Sequence, residues 1–135
     1  MSKEKKTRPG INIQWPWSQL IIEGKKTIET RTYDIPEKYR GVELLLIETP
    51  GPRGKKEAGI EKARIIGTVT FGKTYRYNSK KQWLNEKNKH LVESTDKLYG
   101  WIKEKEKWGW EVKLHYPYKK QRIATSPRGI IFCNL

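Results

Sequence analysis

The sequence predicts an α+β domain, a small mixed β-barrel of about six strands with about three helices packed outside it. Three observations lead there. Strand-like segments outnumber helical ones, and the two do not alternate regularly enough for a doubly wound sheet. The chain of 135 residues suits one domain, which would bury roughly two-thirds of its unfolded surface. Although only 35% of residues are hydrophobic and 33% are charged, 6 Trp and 7 Tyr can furnish a core. Closing the sheet would remove exposed strand edges.

Residues 1–10, MSKEKKTRPG, lack apolar periodicity and read as a flexible basic arm, which leaves 11–135 as the domain. INI at 11–13 is a short strand running into Trp15. Pro16 opens a brief helix, with Trp17, Leu20 and Ile21 on one stripe and Gly24 as its stop. EGKKTIETRTY, residues 23–33, turns from that helix into a charged strand. Thr27, Glu29 and Arg31 share one face, Ile28 and Thr30 the other, and Lys26 can join the charged side from the turn. After the turn DIPEKYRG, VELLLIE is apolar on both faces and reads as a central strand.

Residues 49–62 form a Pro/Gly/Lys loop, and RIIGTVTFG at 64–72 a strand with Ile65, Val69 and Phe71 on one face. Two helices are expected next. SKKQWLNEKNKHLVE carries Ser79 and Gln82 at capping-box spacing, and STDKLYGWIKEKEKWG spaces Leu98, Trp101 and Ile102 ahead of Gly109, with KEKEK as a solvated face. WEVKLHYP then alternates, with Trp110, Val112, Leu114 and Tyr116 inward, Glu111, Lys113 and His115 outward, and Pro117 as its end. A basic loop, PYKKQRIATSPRG, leads to a last strand, GIIFCNL.

Lys plus Arg number 29 against 15 Asp plus Glu, a net charge of +14. Such a surface attracts polyanions: nucleic acid first, with an anionic membrane surface as the alternative. No apolar run approaches the ~20 residues of a membrane span, and the charged start is not followed by a secretory signal's apolar stretch. The single cysteine, Cys133, cannot form an internal disulfide, so a cytoplasmic home is expected. His90 and His115 have no partners at ligand spacing, and neither a metal nor another cofactor is expected.

Lys26 and Arg31 can neutralise a phosphate or donate to a base edge, and Glu29 can pair with either or accept from a base amino group. The same three could instead form a salt-bridged triad pinning the helix to the barrel. Trp15, at a helix start, could stack on an unpaired base. Trp17, Trp101 and Trp110 read as core. Tyr75 and Arg76, in YRY, could form an aromatic and basic patch, although strand-edge tyrosines are the commoner outcome. Arg53, Lys55, Lys56, Lys62 and Arg64, then Lys119, Lys120, Arg122 and Arg128, are candidates for a phosphate track.

Gly24, Lys26, Glu29 and Arg31 also spell G-x-K-x-x-E-x-R, with PW before a short helix, YRG ahead of an apolar strand, GTV in the next and GW before a late one. Over about residues 11–134 the chain resembles the ASCH (ASC-1 homology) domain family of the PUA-like superfamily. The resemblance implies a pseudo-barrel whose signature residues face a nucleic-acid ligand, RNA in single-stranded or structured form, with DNA as a further polyanion the charge would suit. It also implies an alternative, a metal-independent ribonuclease or an amidohydrolase acting on RNA or a modified nucleoside. One family branch hydrolyses acetylcytidine with a Lys and a Thr from this segment. Lys26 matches that Lys, whereas Glu29 stands where the Thr would be. In an enzyme, Lys26 would stabilise the oxyanion and Glu29 act as general base. A protein-recruiting domain on the same fold is a third reading.

Overall fold

Five consecutive buried side chains, Leu44 to Glu48, place β3 (Glu43–Thr49) inside the sheet, as its apolar run requires. The computed structural model describes residues 8–123 and 132–134. Around β3 lie β1 (Pro9–Gln14), α1 (Trp17–Ile22), β2 (Ile28–Arg31), a 3-10 turn at Glu37–Tyr39, α2 (Gly51–Ala58), β4 (Arg64–Arg76), α3 (Lys80–Asn85), α4 (Lys87–His90), β5 (Trp108–Ile123) and β6 (Phe132–Asn134). β1 takes in Pro9 and Gly10 from the stretch read as an arm, and residues 1–7 lie outside the described ones.

The sheet runs β2-β5-β4-β3-β1-β6, and its one parallel pair, β1 with β3, makes it mixed. Register shifts along β4 and β5 bend both strands and curl the sheet into a half-barrel. Its concave face holds Ile11, Ile13, Ile21, Leu44, Leu46, Val69, Phe71, Trp83 and Trp110, and a smaller cluster of Leu45, Ile47 and Ile65 packs separately.

Those shifts overturn two expected facings. Val112 lies opposite Phe71 and Leu114 opposite Thr70, so β5 holds one residue more than β4 there and its later side chains change sides. Leu114 and Tyr116 are consequently 43% and 54% exposed, and Trp110 is the one of the four expected inward residues that is fully buried. His115 moves to the face of Val69, its Nδ1 3.1 Å from the Ile22 carbonyl at the end of α1, and stays exposed as expected. A shift between Ile65 and Gly67 likewise separates Ile65 from Val69 and Phe71.

Three boundaries also differ. Pro117 does not end β5, because among the described residues β2 pairs only with Trp108–Glu111 and no strand pairs with the later edge of β5, where no N–H is needed. The expected loop at 49–62 contains α2, since Pro52 suits a first turn and Gly59, at φ 67°, closes the helix in the left-handed region. The helix expected from STDKLYGWIKEKEKWG is a series of turns. Asp96 Oδ1 accepts from the N–H groups of Leu98 and Tyr99, both at 2.9 Å, offering the backbone an alternative to a helix. α3 forms as expected, with Ser79 Oγ accepting from the Gln82 N–H at 3.1 Å, though it stops at Asn85.

β6 pairs with Pro9–Ile11, so β1 from Asn12 onward faces a seam, and β2 at the other end of the sheet approaches it. Arg31 Nη2 spans that seam, donating to the Asn12 carbonyl at 3.0 Å.

Candidate functional site

A cavity of about 540 Å³ opens at the seam. Asn12, Ile13 and Gln14 of β1, Glu29, Thr30 and Arg31 of β2, Trp17 of α1, and Tyr99 and Lys107 from the turns before β5 line much of it.

Lys26 is fixed there by chain geometry. Gly24, at φ 80°, ends α1, the N–H groups of Lys25 and Lys26 both donate to the Leu20 carbonyl at 2.9 Å, and the Thr27 N–H donates to Lys89 O. The Lys26 side chain, only 1% exposed, sets Nζ 3.8 Å from Glu29 Oε1 and 5.1 Å from the centroid of the Trp17 ring. Nζ donates to the His90 carbonyl. Burial pushes this ammonium down to about pKa 8, with Glu29 opposing the shift and the Arg31 and Lys107 charges adding to it.

Glu29 is fully engaged. Oε1 accepts from the Thr30 N–H at 3.2 Å, and Oε2 accepts from Arg31 Nε at 3.1 Å and lies 3.0 Å from Nη2. Arg31 Nη1 donates to the Tyr33 hydroxyl at 3.3 Å, and the guanidinium lies 5.6 Å over Trp110. Burial works against the Arg31 charge, and Glu29 and Tyr33 together more than restore it. Lys26, Glu29 and Arg31 thus form the salt-bridged triad that was one of their two readings, and it lines an open hollow.

Lys107 is the cation that sequence reasoning missed. It is 6% exposed, and Nζ donates to the Tyr99 carbonyl at 3.0 Å and lies 6.0 Å over Trp83. Burial lowers its pKa as well. Reading KEKEK, residues 103–107, as a solvated helical face took in Lys107 as its last residue, and the place of Lys107 immediately before the strand was the available signal that it differs. Beneath both lysines, the His90 ring stacks on Trp83 with centroids 4.5 Å apart. His90 Nδ1 accepts from the Val92 N–H at 3.0 Å, so Nε2 donates to Trp83 O at 2.8 Å, and burial lowers the pKa to about 4, keeping the ring neutral.

The other candidates lie elsewhere. Trp15 packs on α2, where the Arg53 guanidinium lies 5.7 Å over its ring while Arg53 Nε pairs with Glu57 at 2.9 Å. Lys55 and Lys56 on α2, and Lys119 and Lys120 on β5, are exposed. Tyr75 is not an open platform, because β4 extends through it and its hydroxyl donates to Glu86 Oε1 at 2.5 Å, beside Tyr77 at 2.7 Å. Arg76 is exposed and lies 3.6 Å from Glu106. Arg64 is tied to the buried Glu48 at 2.8 Å. Arg128 lies outside the described residues. Trp17, expected as core, both packs in it and lines the cavity.

Among the described residues no group of three or more His, Cys, Asp or Glu is placed to hold a metal ion, and no helix is long and apolar enough to cross a membrane.

A half-barrel of mixed strands with a cationic cavity at its seam defines a PUA-like α+β domain. The ASCH domain family model matches residues 11–123, and the chain belongs to that family, which is associated with RNA binding. Its fold is similar to the crystal structure of ASCH from Zymomonas mobilis, at a TM-score of 0.59 and 15% identity over 81% of this chain and 68% of that one. A serine-to-alanine mutant of that protein gives a TM-score of 0.60 at 15% identity, covering 84% of this chain and 72% of that one. A tyrosine-to-phenylalanine mutant gives 0.58 at 17%, covering 81% and 70%. No curated protein sequence matches the chain.

Proposed function

We propose that this domain binds RNA in the cytoplasm, holding phosphates on its basic surface and one nucleotide in the seam cavity. The observation that carries the reading is the cavity's lining among the described residues: two buried lysines, Lys26 and Lys107, and the partly buried Arg31 around the carboxylate of Glu29, beside Trp17, Tyr33 and Tyr99. Structural ion pairs have no need of surplus positive charge or of open volume beside it. Exposed Lys55, Lys56, Lys119 and Lys120 supply the longer-range attraction.

Anisotropy titrations of single-stranded RNA from low to moderate salt test the reading. Log affinity should fall with log salt at a slope of about −0.7 for each phosphate contacted. A flat response would count against it, and so would an affinity that Lys26→Met leaves unaltered.

One observation favours a hydrolase as the second reading: an amine held near pKa 8 can exchange protons at neutral pH. In that case Lys26, rather than the fully engaged Glu29, is the group to handle the proton. Labelled RNA cleaved by the wild type and spared by Lys26→Ala would support it; equal cleavage by both would reject it.

A further inference from the structure

The charges in the cavity do not balance, and the imbalance sits on two particular lysines. Glu29 lies 3.0 Å from Arg31 and 3.8 Å from Lys26, one carboxylate shared by two cations, and the guanidinium is further held by Tyr33 and the Asn12 carbonyl. Lys26 and Lys107 donate to the main-chain carbonyls of His90 and Tyr99. A carbonyl takes up one of an ammonium's three protons and cancels none of its charge. Among the described residues the lining sets Lys26, Arg31 and Lys107 against Glu29, three positive charges and one negative, a surplus of two.

Two ammonium groups buried to this degree are costly, and apolar side chains of similar length would fill the space at less cost. A guest with a single negative charge, such as an internal phosphodiester, would neutralise half of the surplus. A terminal phosphomonoester, whose second ionisation lies near pH 6, brings about two negative charges and three strong acceptor oxygens. The cavity's 540 Å³ falls in the range that encloses a small ligand, so a whole terminal nucleotide can enter beside the wall that Trp17 and Tyr99 form, their rings edge-to-face at 6.0 Å.

We propose that the cavity captures the terminal phosphomonoester of a nucleotide, with Lys26 and Lys107 as its two ammonium ligands. This rests on the RNA-binding reading and makes it narrower: the domain recognises phosphorylated RNA ends. A free nucleoside monophosphate presents the same chemistry, so the experiment separates the two sources.

Short single-stranded RNAs of one sequence, carrying a phosphate or a hydroxyl at the 5′ end and, in a second pair, at the 3′ end, are titrated with the intact protein at fixed salt. One phosphorylated end should bind at least about tenfold more tightly than its hydroxyl counterpart, the scale of one charge-assisted hydrogen bond. Lys107→Gln should bring that ratio close to one and Lys107→Arg should retain most of it, with thermal melting to confirm that both fold. Gln14→Glu adds a negative charge to the same lining through a side chain of equal size, and should lower the ratio by an independent route. Competition by a nucleoside monophosphate only at far higher concentration assigns the site to RNA ends, and equal potency assigns it to the free nucleotide. RNA binding indifferent to the terminal phosphate overturns the inference and leaves the RNA-binding reading standing. Failure to bind any of the RNAs overturns both.

Discussion

Lys26 holds its proton less tightly in the folded protein than in the unfolded chain, and that difference is measurable. The unfolded lysine keeps its proton up to its ordinary 10.5, and the folded one releases it near 8. Between those values the unfolded state binds more protons, so stability rises with pH across this window, and below it the penalty is fully present. Urea denaturation should show the wild type gaining about 2 kcal/mol relative to Lys26→Met between pH 8 and pH 10. Lys107, whose pKa is also lowered, adds a rise of the same sign to both proteins. Parallel profiles would place the Lys26 ammonium in water. Glu29 has the opposite role, as the anion against which Lys26 and Arg31 are buried. Glu29→Gln should therefore cost about 3–5 kcal/mol in the same assay, the scale of breaking a buried ion pair from one side. A loss below about 1 kcal/mol would mean that solvent already screens the pair.

The elements that position the site depend on bends and turns more than on periodicity. Gly67 sits where β4 passes β5 so closely that a Cβ would overlap the Tyr116 carbonyl oxygen, whereas a Cβ at Gly41, with φ 73°, would meet nothing within 4 Å. Gly67→Ala should cost at least about 3 kcal/mol, as backbone displaced by overpacking does, and Gly41→Ala about 1–2 kcal/mol from left-handed strain alone. Equal losses in thermal melts would contradict this account of the β4–β5 crossing. The same elements show what was legible in the sequence. The LII run stopped by Gly24, the apolar β3 and the Ser79 cap are local signals, and each element begins where it was read. The extra residue in β5 exists only relative to β4, so the alternation of WEVKLHYP could not reveal that Leu114 and Tyr116 face outward. The turns at 94–107 defeated helical spacing because Asp96 captures the backbone locally. Lys107 became a cavity residue through them, and no pattern within the sequence announced it.

For the whole molecule, a net charge of +14 explains attraction to a polyanion and says little about where a nucleotide is held. That depends on the half-barrel's incomplete closure. Because, among the described residues, β6 pairs with Pro9–Ile11 alone and β2 stops at Arg31, the seam stays open beside three cations that the fold has already desolvated. The spacing of Lys26, Glu29 and Arg31 on a turn and a strand made their convergence readable; the aromatic wall of Trp17 and Tyr99 joins residues 82 positions apart and was not readable. The most direct measurement is photo-crosslinking to single-stranded RNA containing 4-thiouridine, with adducts located by mass spectrometry. Adducts on Trp17, Tyr33 or Tyr99, lost on competition with unlabelled RNA, are the predicted result. Adducts confined to exposed positions such as Lys55 and Lys119, with none in the cavity, would contradict it.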